Sequence, residues 1–415
     1  MKVFDIAVAG AGPAGMMAAI TASASKRSVV LIERNKLLGK KILLTGGGRC
    51  NLTNSAGLDG FIKAFGKQGL FLRTAFKEFS NLNLMNFFKA RGVSFKEESG
   101  GRIIPKKGDA HLIVRTLENC LSRGQVKVLY DSRLNNLAKL KDSFRLDLAG
   151  SRILAKKVIL ATGGISYKET GSSGDGFIIA ERIGHRVTFL KPGLVPLMVV
   201  EPWVRQLSGV ALSDVVITFS SEAVGGKNLK SNPGEIIFTH FGISGPLILD
   251  LSSRVVDLLL PGKSISLFID FKPGSNQEEL KSLLFREFSE GKNRQLKNAL
   301  GAFMPQRLTL PFLNQAKISA AGKVCQLSRR DYHQLSSYLK AFPLTVSATL
   351  PINQAMVTDG GVLTREINPQ TMESKILPGL YFAGEIIEGS GVSGGYNLQQ
   401  AFSTGYLAAK GAVGV

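Results

Sequence analysis

The sequence predicts an α/β fold: a split Rossmann-like dinucleotide-binding domain interrupted by a β-rich unit and a helical unit. Three observations predict it. A strand, glycine turn, helix and second strand open the chain between Phe4 and Arg34, the texture changes from Pro192 onward, and glycine-rich strand ends return near the C-terminus.

Phe4 to Ala9 is an apolar run of buried-strand type, followed at once by Gly10-Ala11-Gly12-Pro13-Ala14-Gly15. An alanine-rich helical pattern runs from Ala14 to about Ser25, and Ser28 to Ile32 is a second strand ending at Glu33. This is the dinucleotide fingerprint in its required context. Gly10 permits the tight turn, Gly12 lets backbone amides approach a pyrophosphate, and Gly15 lets helix and strand pack closely. The helix N-terminus faces the anion, and Glu33 is placed to accept hydrogen bonds from ribose hydroxyls.

With 415 residues, 44% hydrophobic and 20% charged, the chain has the composition of a soluble globular protein of two or three domains. No apolar run reaches the ~18 residues needed to cross a bilayer, so no membrane association is expected. Met1-Lys2 leads almost directly into the first strand, leaving no room for a signal peptide. Cys50, Cys120 and Cys325 are far apart and odd in number, which predicts a reducing, cytoplasmic compartment without structural disulfides. The four histidines are scattered and there is no CxxC pair, so no metal site is expected.

The net charge of +21 is unevenly spread. Residues 1–190 hold 31 basic and 14 acidic side chains, whereas residues 346–415 hold 3 and 5. A pyrophosphate needs only one or two cations, so the excess favours a polyanionic partner, with a merely soluble surface as the plainer reading.

After Glu33-Arg34, Lys41 leads into Thr45-Gly46-Gly47-Gly48-Arg49-Cys50-Asn51, a loop suited to lie against a cofactor. Amides approach closely there and Arg49 can balance phosphate charge. Cys50 could serve as an acid or nucleophile, or be a packed thiol. Between residues 61 and 107, ten basic and three acidic residues accompany phenylalanines. Phe71, Leu72, Ala75, Phe76 and Phe79, then Leu84, Phe87 and Phe88, recur at helical spacing and belong to the core, which leaves the cations for a partner.

Val126 to Tyr130, Phe144 to Leu148, Arg152 to Ala155 and the run from Lys157 read as strands, the last ending in Ala161-Thr162-Gly163-Gly164. Small residues there let backbone lie close to a ligand. No second GxGxxG follows a strand, so a separate nicotinamide domain is not expected. From Pro192 short strands dominate, and Phe238-Thr239-His240-Phe241-Gly242 contains a histidine that is either a proton donor or substrate ligand, or a hydrogen-bonded turn residue. Ser275-Asn276-Gln277-Glu278 reads as a capping box before a helical stretch, and Leu344 to Leu350 as a returning strand. The strand ending Ala383-Gly384-Glu385, the loop to Gly395 and a helix opening on Tyr396-Asn397-Leu398 repeat the anion-binding logic of the N-terminus. Two such elements suit a long cofactor, and FAD fits better than NAD.

GAGPAG, GKKILLTGGGRCNLTN, ATGG, FTHFGISGP, TMESKILPGLYFAGE and SGGYNLQQAFSTG occur in order along essentially the whole chain. In these motifs it resembles the BaiN/RdsA-type flavoproteins. The resemblance implies an FAD-binding Rossmann-like domain over residues 1–190 and 346–415, a β-barrel-like insert over 191–274 with 341–350, and a helical insert over 275–340. It also implies FAD with NAD(P)H as electron source. Such enzymes reduce C=C bonds conjugated to a carbonyl, in bile-acid intermediates or in uridines of large-subunit ribosomal RNA.

The basic excess in residues 1–190 favours ribosomal RNA as partner over a small sterol. A small-molecule enone reductase, and an FAD-carrying RNA-binding or redox-sensing protein without turnover, are the rivals. The expected cofactor residues are Gly10, Gly12, Pro13, Ala14, Gly15, Glu33, Arg34, Lys41, Gly47, Gly48, Arg49, Cys50, Asn51, Leu134, Ala161, Thr162, Gly163, Gly384, Glu385, Gly395, Tyr396, Asn397 and Leu398. Cys50, His240 and Tyr396 are the candidate proton donors.

Overall fold

The computed structural model describes residues 3–107, 109–220, 228–259 and 262–414. Met1 and Lys2, from which the absence of a signal peptide was expected, lie outside them. The chain divides into two compact units, Met1–Gly193 with Ile352–Val415, and Leu194–Pro351.

The first unit is built on a seven-stranded sheet. Strand β1 (Val3–Ala9) lies between β2 (Val29–Ile32) and the long strand Ser151–Leu160, parallel to both. Lys127–Leu129 extends the parallel part beyond β2. Arg152 to Leu160, which reads as two strands in the sequence, is one continuous strand used in two ways. Its first half pairs antiparallel with Phe144–Leu148, and its last residues pair parallel with Leu380–Phe382. The C-terminal segment thus returns to the same sheet that the N-terminus begins.

Helix α1 (Pro13–Ser23) follows the glycine turn, and Pro13 at its start costs no hydrogen bond because the first N–H groups of a helix have no intrahelical partner. Its alanines, methionines and Gly15 are buried because it lies against both the sheet and the C-terminal helix Tyr396–Val413. A helix buried on two sides needs small residues all round instead of one apolar stripe. The helices α3 (Leu58–Ala64) and α4 (Gly69–Glu78) enclose a cluster of Phe61, Phe65, Leu72 and Phe76, so Leu72 and Phe76 are core, as their spacing predicts, whereas Phe71 and Phe87 are only half-buried and Phe61 and Phe65 join the core without that signal.

The second unit contains a seven-stranded antiparallel sheet in which Ala211–Phe219 pairs with both Gly234–Phe238 and Ile265–Asp270. That double pairing closes the hydrogen-bond ring, so the unit contains a barrel. Phe342–Thr349 is the returning strand and bridges Leu197–Val199 and Ile265–Asp270. Helices Gln277–Ser289, Gln306–Gln315 and Arg329–Lys340 pack on the same core. The capping box of the first is one residue later than its sequence suggests. Asn276 Oδ1 accepts from Glu279 N at 2.9 Å and Glu279 Oε2 accepts from Asn276 N at 2.9 Å. Asn caps as well as Ser and stands at the correct distance from a glutamate. Among the described residues no helix is long and apolar enough to cross a membrane.

Close backbone approach holds the first unit together. A Cβ added at Gly405 of the C-terminal helix would lie 2.2 Å from Ala14 O. Helix propensity alone favours Gly405→Ala by about 1 kcal/mol. Overpacking against a backbone oxygen opposes it by about 1–3 kcal/mol, and we expect it to win. A lower thermal midpoint for Gly405→Ala is the expected result, read by differential scanning calorimetry.

Candidate active site

A cleft in the first unit opens at the carboxyl ends of the parallel strands, where Ala9, Ile32 and Ala161 line it. This is where ligands bind in open α/β sheets. Each glycine of the first turn has a different steric reason. At Gly10 (φ +98°) a Cβ would meet Ala161 O at 2.4 Å, and at Gly15 it would meet Gly10 O at 1.8 Å. At Gly12 nothing lies within 4 Å, because that position faces the cleft. Helix α1 has no side-chain cap and no acid in its first turn, so its N-terminal amides are left for a ligand.

Glu33 is buried at the end of β2. Its Oε2 accepts from Ala11 N at 2.9 Å and its Oε1 from Asn35 N at 2.8 Å, which fixes the carboxylate against the glycine turn. Nearby, Asp175 accepts two bonds from Arg133, at 2.8 and 2.7 Å, and one from Arg34 at 3.2 Å. Burial pushes the Asp175 carboxyl up, but these guanidinium contacts outweigh it and hold the group below the usual carboxylate range.

The opposite wall holds a tighter network. Helix α2 (Lys40–Leu44) presents Lys41, whose Nζ donates to Glu385 Oε2 at 2.6 Å and to Ser166 Oγ at 2.7 Å. Glu385 Oε1 also accepts from Ser166 Oγ at 2.9 Å and from Thr358 N at 2.7 Å. Burial acts to raise the Glu385 carboxyl, and the Lys41 charge and the three hydrogen bonds donated by Lys41, Thr358 and Ser166 overcome it, leaving the group ionised and below its ordinary 4.5.

Gly10, Gly12, Pro13, Ala14, Glu33, Arg34, Lys41, Leu134, Ala161, Thr162, Gly163, Gly384, Glu385, Asn397 and Leu398 all line this cleft. Gly15 is set behind them, in the helix–strand contact. Gly47, Gly48, Arg49, Cys50 and Asn51 are not among its lining residues. Arg49 pairs with Glu98 at 3.4 Å and is mostly exposed. Cys50 is fully buried, and burial pushes its thiol up to about 12, which makes it a weaker acid. Gly395 (φ +99°) caps the C-terminal helix, where a Cβ would meet Thr53 O at 2.3 Å. Tyr396 rests edge-on against Phe61, with ring centroids 5.0 Å apart. Asn397 clamps the glycine loop, accepting from Gly391 N at 2.8 Å and donating to Gly391 O at 2.9 Å. His240 is exposed in the turn after Gly234–Phe238, in the second unit.

Sequence reasoning missed Asn35, Lys40, Ser132, Arg133, Asp175, Met356 and Gln400, all of which line the cleft. The Gly171–Gly176 run was a signal for Asp175, whereas Arg133 and Met356 carry none.

The cleft suits a dinucleotide cofactor on several grounds. Thr162 Oγ1 is buried in its wall without a hydrogen-bond partner, Gly12 leaves room for backbone approach, and the N-terminus of the C-terminal helix also lacks a side-chain cap.

Residues 4–411 match the family model described as HI0933-like protein Rossmann domain. The chain belongs to this family. It is 33% identical to the ribosomal RNA dihydrouridine synthase of Escherichia coli, over 99% of this chain and 98% of that protein. It is 32% identical to the 3-dehydro-bile acid delta(4,6)-reductase of Clostridium scindens, over 98% of each. The 3-ketosteroid delta1-dehydrogenase of Sterolibacterium denitrificans has the same fold, with a TM-score of 0.56 at 12% identity over 100% of both chains. A flavocytochrome c3 fumarate reductase matches with a TM-score of 0.55 at 17% identity, covering 100% of this chain and 78% of that one. As a family member this protein is an FAD-type oxidoreductase, of the fold class its sequence predicts.

Replacing Lys41 by Met leaves Glu385 without its cation, at a cost of about 3 kcal/mol near neutral pH. In the wild type the depressed carboxyl contributes stability above the unfolded value of 4.5 and loses it as pH falls through the folded value. In Lys41→Met, burial dominates and raises that carboxyl, so acidification stabilises the variant. The gap between their thermal midpoints should therefore narrow as pH falls from 7 toward 5. A gap that stays constant would show that Glu385 is not the group involved.

Proposed function

We propose that this protein is an FAD-dependent reductase that uses NAD(P)H to convert a uridine of large-subunit ribosomal RNA to dihydrouridine in the cytoplasm. The observation that carries the choice of substrate is the charge distribution. Residues 1–190 hold 31 basic and 14 acidic side chains, far more cation than a cofactor pyrophosphate requires. The 33% identity to a protein named as a ribosomal RNA dihydrouridine synthase supports the same reading.

FAD, when bound, supplies the hydride for reduction of a C=C bond conjugated to a carbonyl. The chain's own residues do the rest. The amides of Gly12 and Ala14 at the start of α1 hold phosphate, and Glu33 takes a ribose hydroxyl with the lone pair that Ala11 leaves free on Oε2, since Asn35 donates twice to Oε1. The ion pair of Lys41 and Glu385 braces the wall between α2 and the loop after Leu380–Phe382. The substrate's α-carbon needs a proton from an acid within reach. Cys50 is the least suited of the candidates, because burial strengthens its hold on its proton.

A small-molecule enone reductase is the second reading, favoured by the 32% identity to the bile-acid reductase. Both substrates are carbonyl-conjugated alkenes, so one experiment separates them. The bound flavin is reduced anaerobically and then mixed with large-subunit rRNA fragments or with a steroid enone, following absorbance. The RNA reading expects fast reoxidation by rRNA and slow reoxidation by the enone. Reoxidation by the enone alone, with unchanged dihydrouridine in rRNA from a deletion strain, would replace it with the second reading.

A further inference from the structure

The helical hairpin of α3 and α4 carries a cationic surface that the cofactor cleft does not use. Lys63, Lys67, Arg73 and Lys77 are all exposed. Leu70, Arg73 and Lys77 follow i, i+3, i+7 spacing on α4 and share one face, with Leu70 72% exposed among them. This face is turned away from Phe61, Phe65, Leu72 and Phe76, which hold the hairpin together.

The surface is under electrostatic tension. Arg73 and Lys77 are like charges at i, i+4, which destabilises a helix by about 0.2–0.5 kcal/mol. The acids carried by α3 and α4 are Asp59, at i, i+4 to Lys63 on α3, and Glu78, which pairs with Lys410 at 3.0 Å instead of relieving Arg73 and Lys77. Among the described residues some exposed cations of this unit have acid partners, as Arg152 has Asp147 at 2.7 Å, Arg186 has Glu366 at 2.7 Å and Lys156 has Asp5 at 2.9 Å. Lys63, Lys67, Arg73 and Lys77, like Lys26, Lys106 and Arg115, form no ion pair among those residues, and what sets the four apart is their place beside the cleft rim. An anionic partner would relieve the tension on α4.

The hairpin also abuts the cleft. Val392 N donates to Ala64 O at 3.1 Å, and a Cβ at Gly389 would lie 2.7 Å from Gln68 Cγ. Gly389 and Ser390 line the cleft, so Lys67 stands one residue from the side chain that supports its rim.

We propose that this face of the α3–α4 hairpin is the docking surface for the RNA backbone, with Lys63, Lys67, Arg73 and Lys77 on phosphates and Leu70 against an unstacked base. The inference rests on the RNA reading above. Phosphate contacts position a nucleic acid without reading its sequence, and apolar side chains take the faces of splayed bases. A backbone held there lies beside the cleft rim, from which a flipped uridine can enter.

The test uses the FAD-loaded protein and a large-subunit rRNA fragment, with binding measured by fluorescence anisotropy across a salt series. Joint replacement of Lys63, Lys67, Arg73 and Lys77 by Gln should weaken binding at least roughly tenfold and reduce the salt slope by about 3. Arg73→Gln alone should reduce it by about 1. Unchanged FAD content and thermal midpoint would show that the fold survives. Replacing Lys141, Arg145 and Arg152 by Gln is the control, since Arg145 and Arg152 already pair with Asp147, at 3.2 and 2.7 Å. Wild-type binding that all the variants retain would overturn this surface and leave the RNA reading standing. Absence of wild-type binding would overturn both, and retention on phosphatidylglycerol vesicles in place of RNA would assign the face to a membrane.

Discussion

The first unit depends on how closely three backbone segments can approach. Helix α1 lies against the glycine turn, the end of strand Ser151–Leu160 and the C-terminal helix, with separations that exclude a side chain. At Gly10, Gly15 and Gly405 a Cβ would lie 2.4, 1.8 and 2.2 Å from a backbone oxygen. The consequence is geometric. Two helix N-termini from opposite ends of the chain, those starting at Pro13 and Tyr396, are brought to one cleft. Both lack side-chain caps, so the orphan amides are concentrated where an extended anion can satisfy them.

A second constraint joins those ends electrostatically. Lys41 and Glu385 are 344 positions apart in sequence, yet they form the shortest ion pair of the cleft wall at 2.6 Å. Their side chains are 20% and 19% exposed, so neither charge is fully solvated and each needs the other. Ser166 and Thr358 both donate to Glu385 Oε1, the oxygen that Lys41 does not take. The pair therefore matters less as net stabilisation than as a fixed position for α2 relative to the C-terminal segment.

Much of this arrangement was legible in the sequence where it depends on local rules. The Gly10, Gly12 and Gly15 pattern carries its steric meaning in its spacing, and Leu72 and Phe76 of α4 carry theirs in their period. Partner choice across long separations was not legible. Lys41 reads as a cofactor residue and does line the cleft, but nothing local announces its pairing with Glu385, and Arg133 has no motif at all. Tyr396 and Arg49 fail to reach the cleft for related reasons. Adjacency to a glycine motif places a residue near a site, but side-chain direction is decided by neighbours such as Phe61 and Glu98 that lie far away in sequence. Joining two apparent strands into Ser151–Leu160 required knowing that one strand can serve a hairpin at one end and a returning strand at the other.

The cleft and the exposed cations of the α3–α4 hairpin lie on different parts of the surface. The cleft wall is made largely of backbone, small residues and paired charges, a composition set by holding a cofactor. Relatives named for a bile-acid reductase and for an RNA-modifying enzyme are 32% and 33% identical to this chain over nearly its full length, so overall identity does not separate their substrates. Both substrates present a conjugated alkene of similar size to the reacting centre, which leaves little for the cleft to discriminate. They differ in what is attached: a sterol brings a compact apolar body, whereas an RNA brings phosphates extending many ångströms outward. Selection between them therefore falls on groups outside the cleft that respond to charge at long range. On the RNA reading proposed above, the exposed cations of a hairpin that supports the rim would meet that requirement, because they would add affinity for a polyanion without changing the geometry of the cleft.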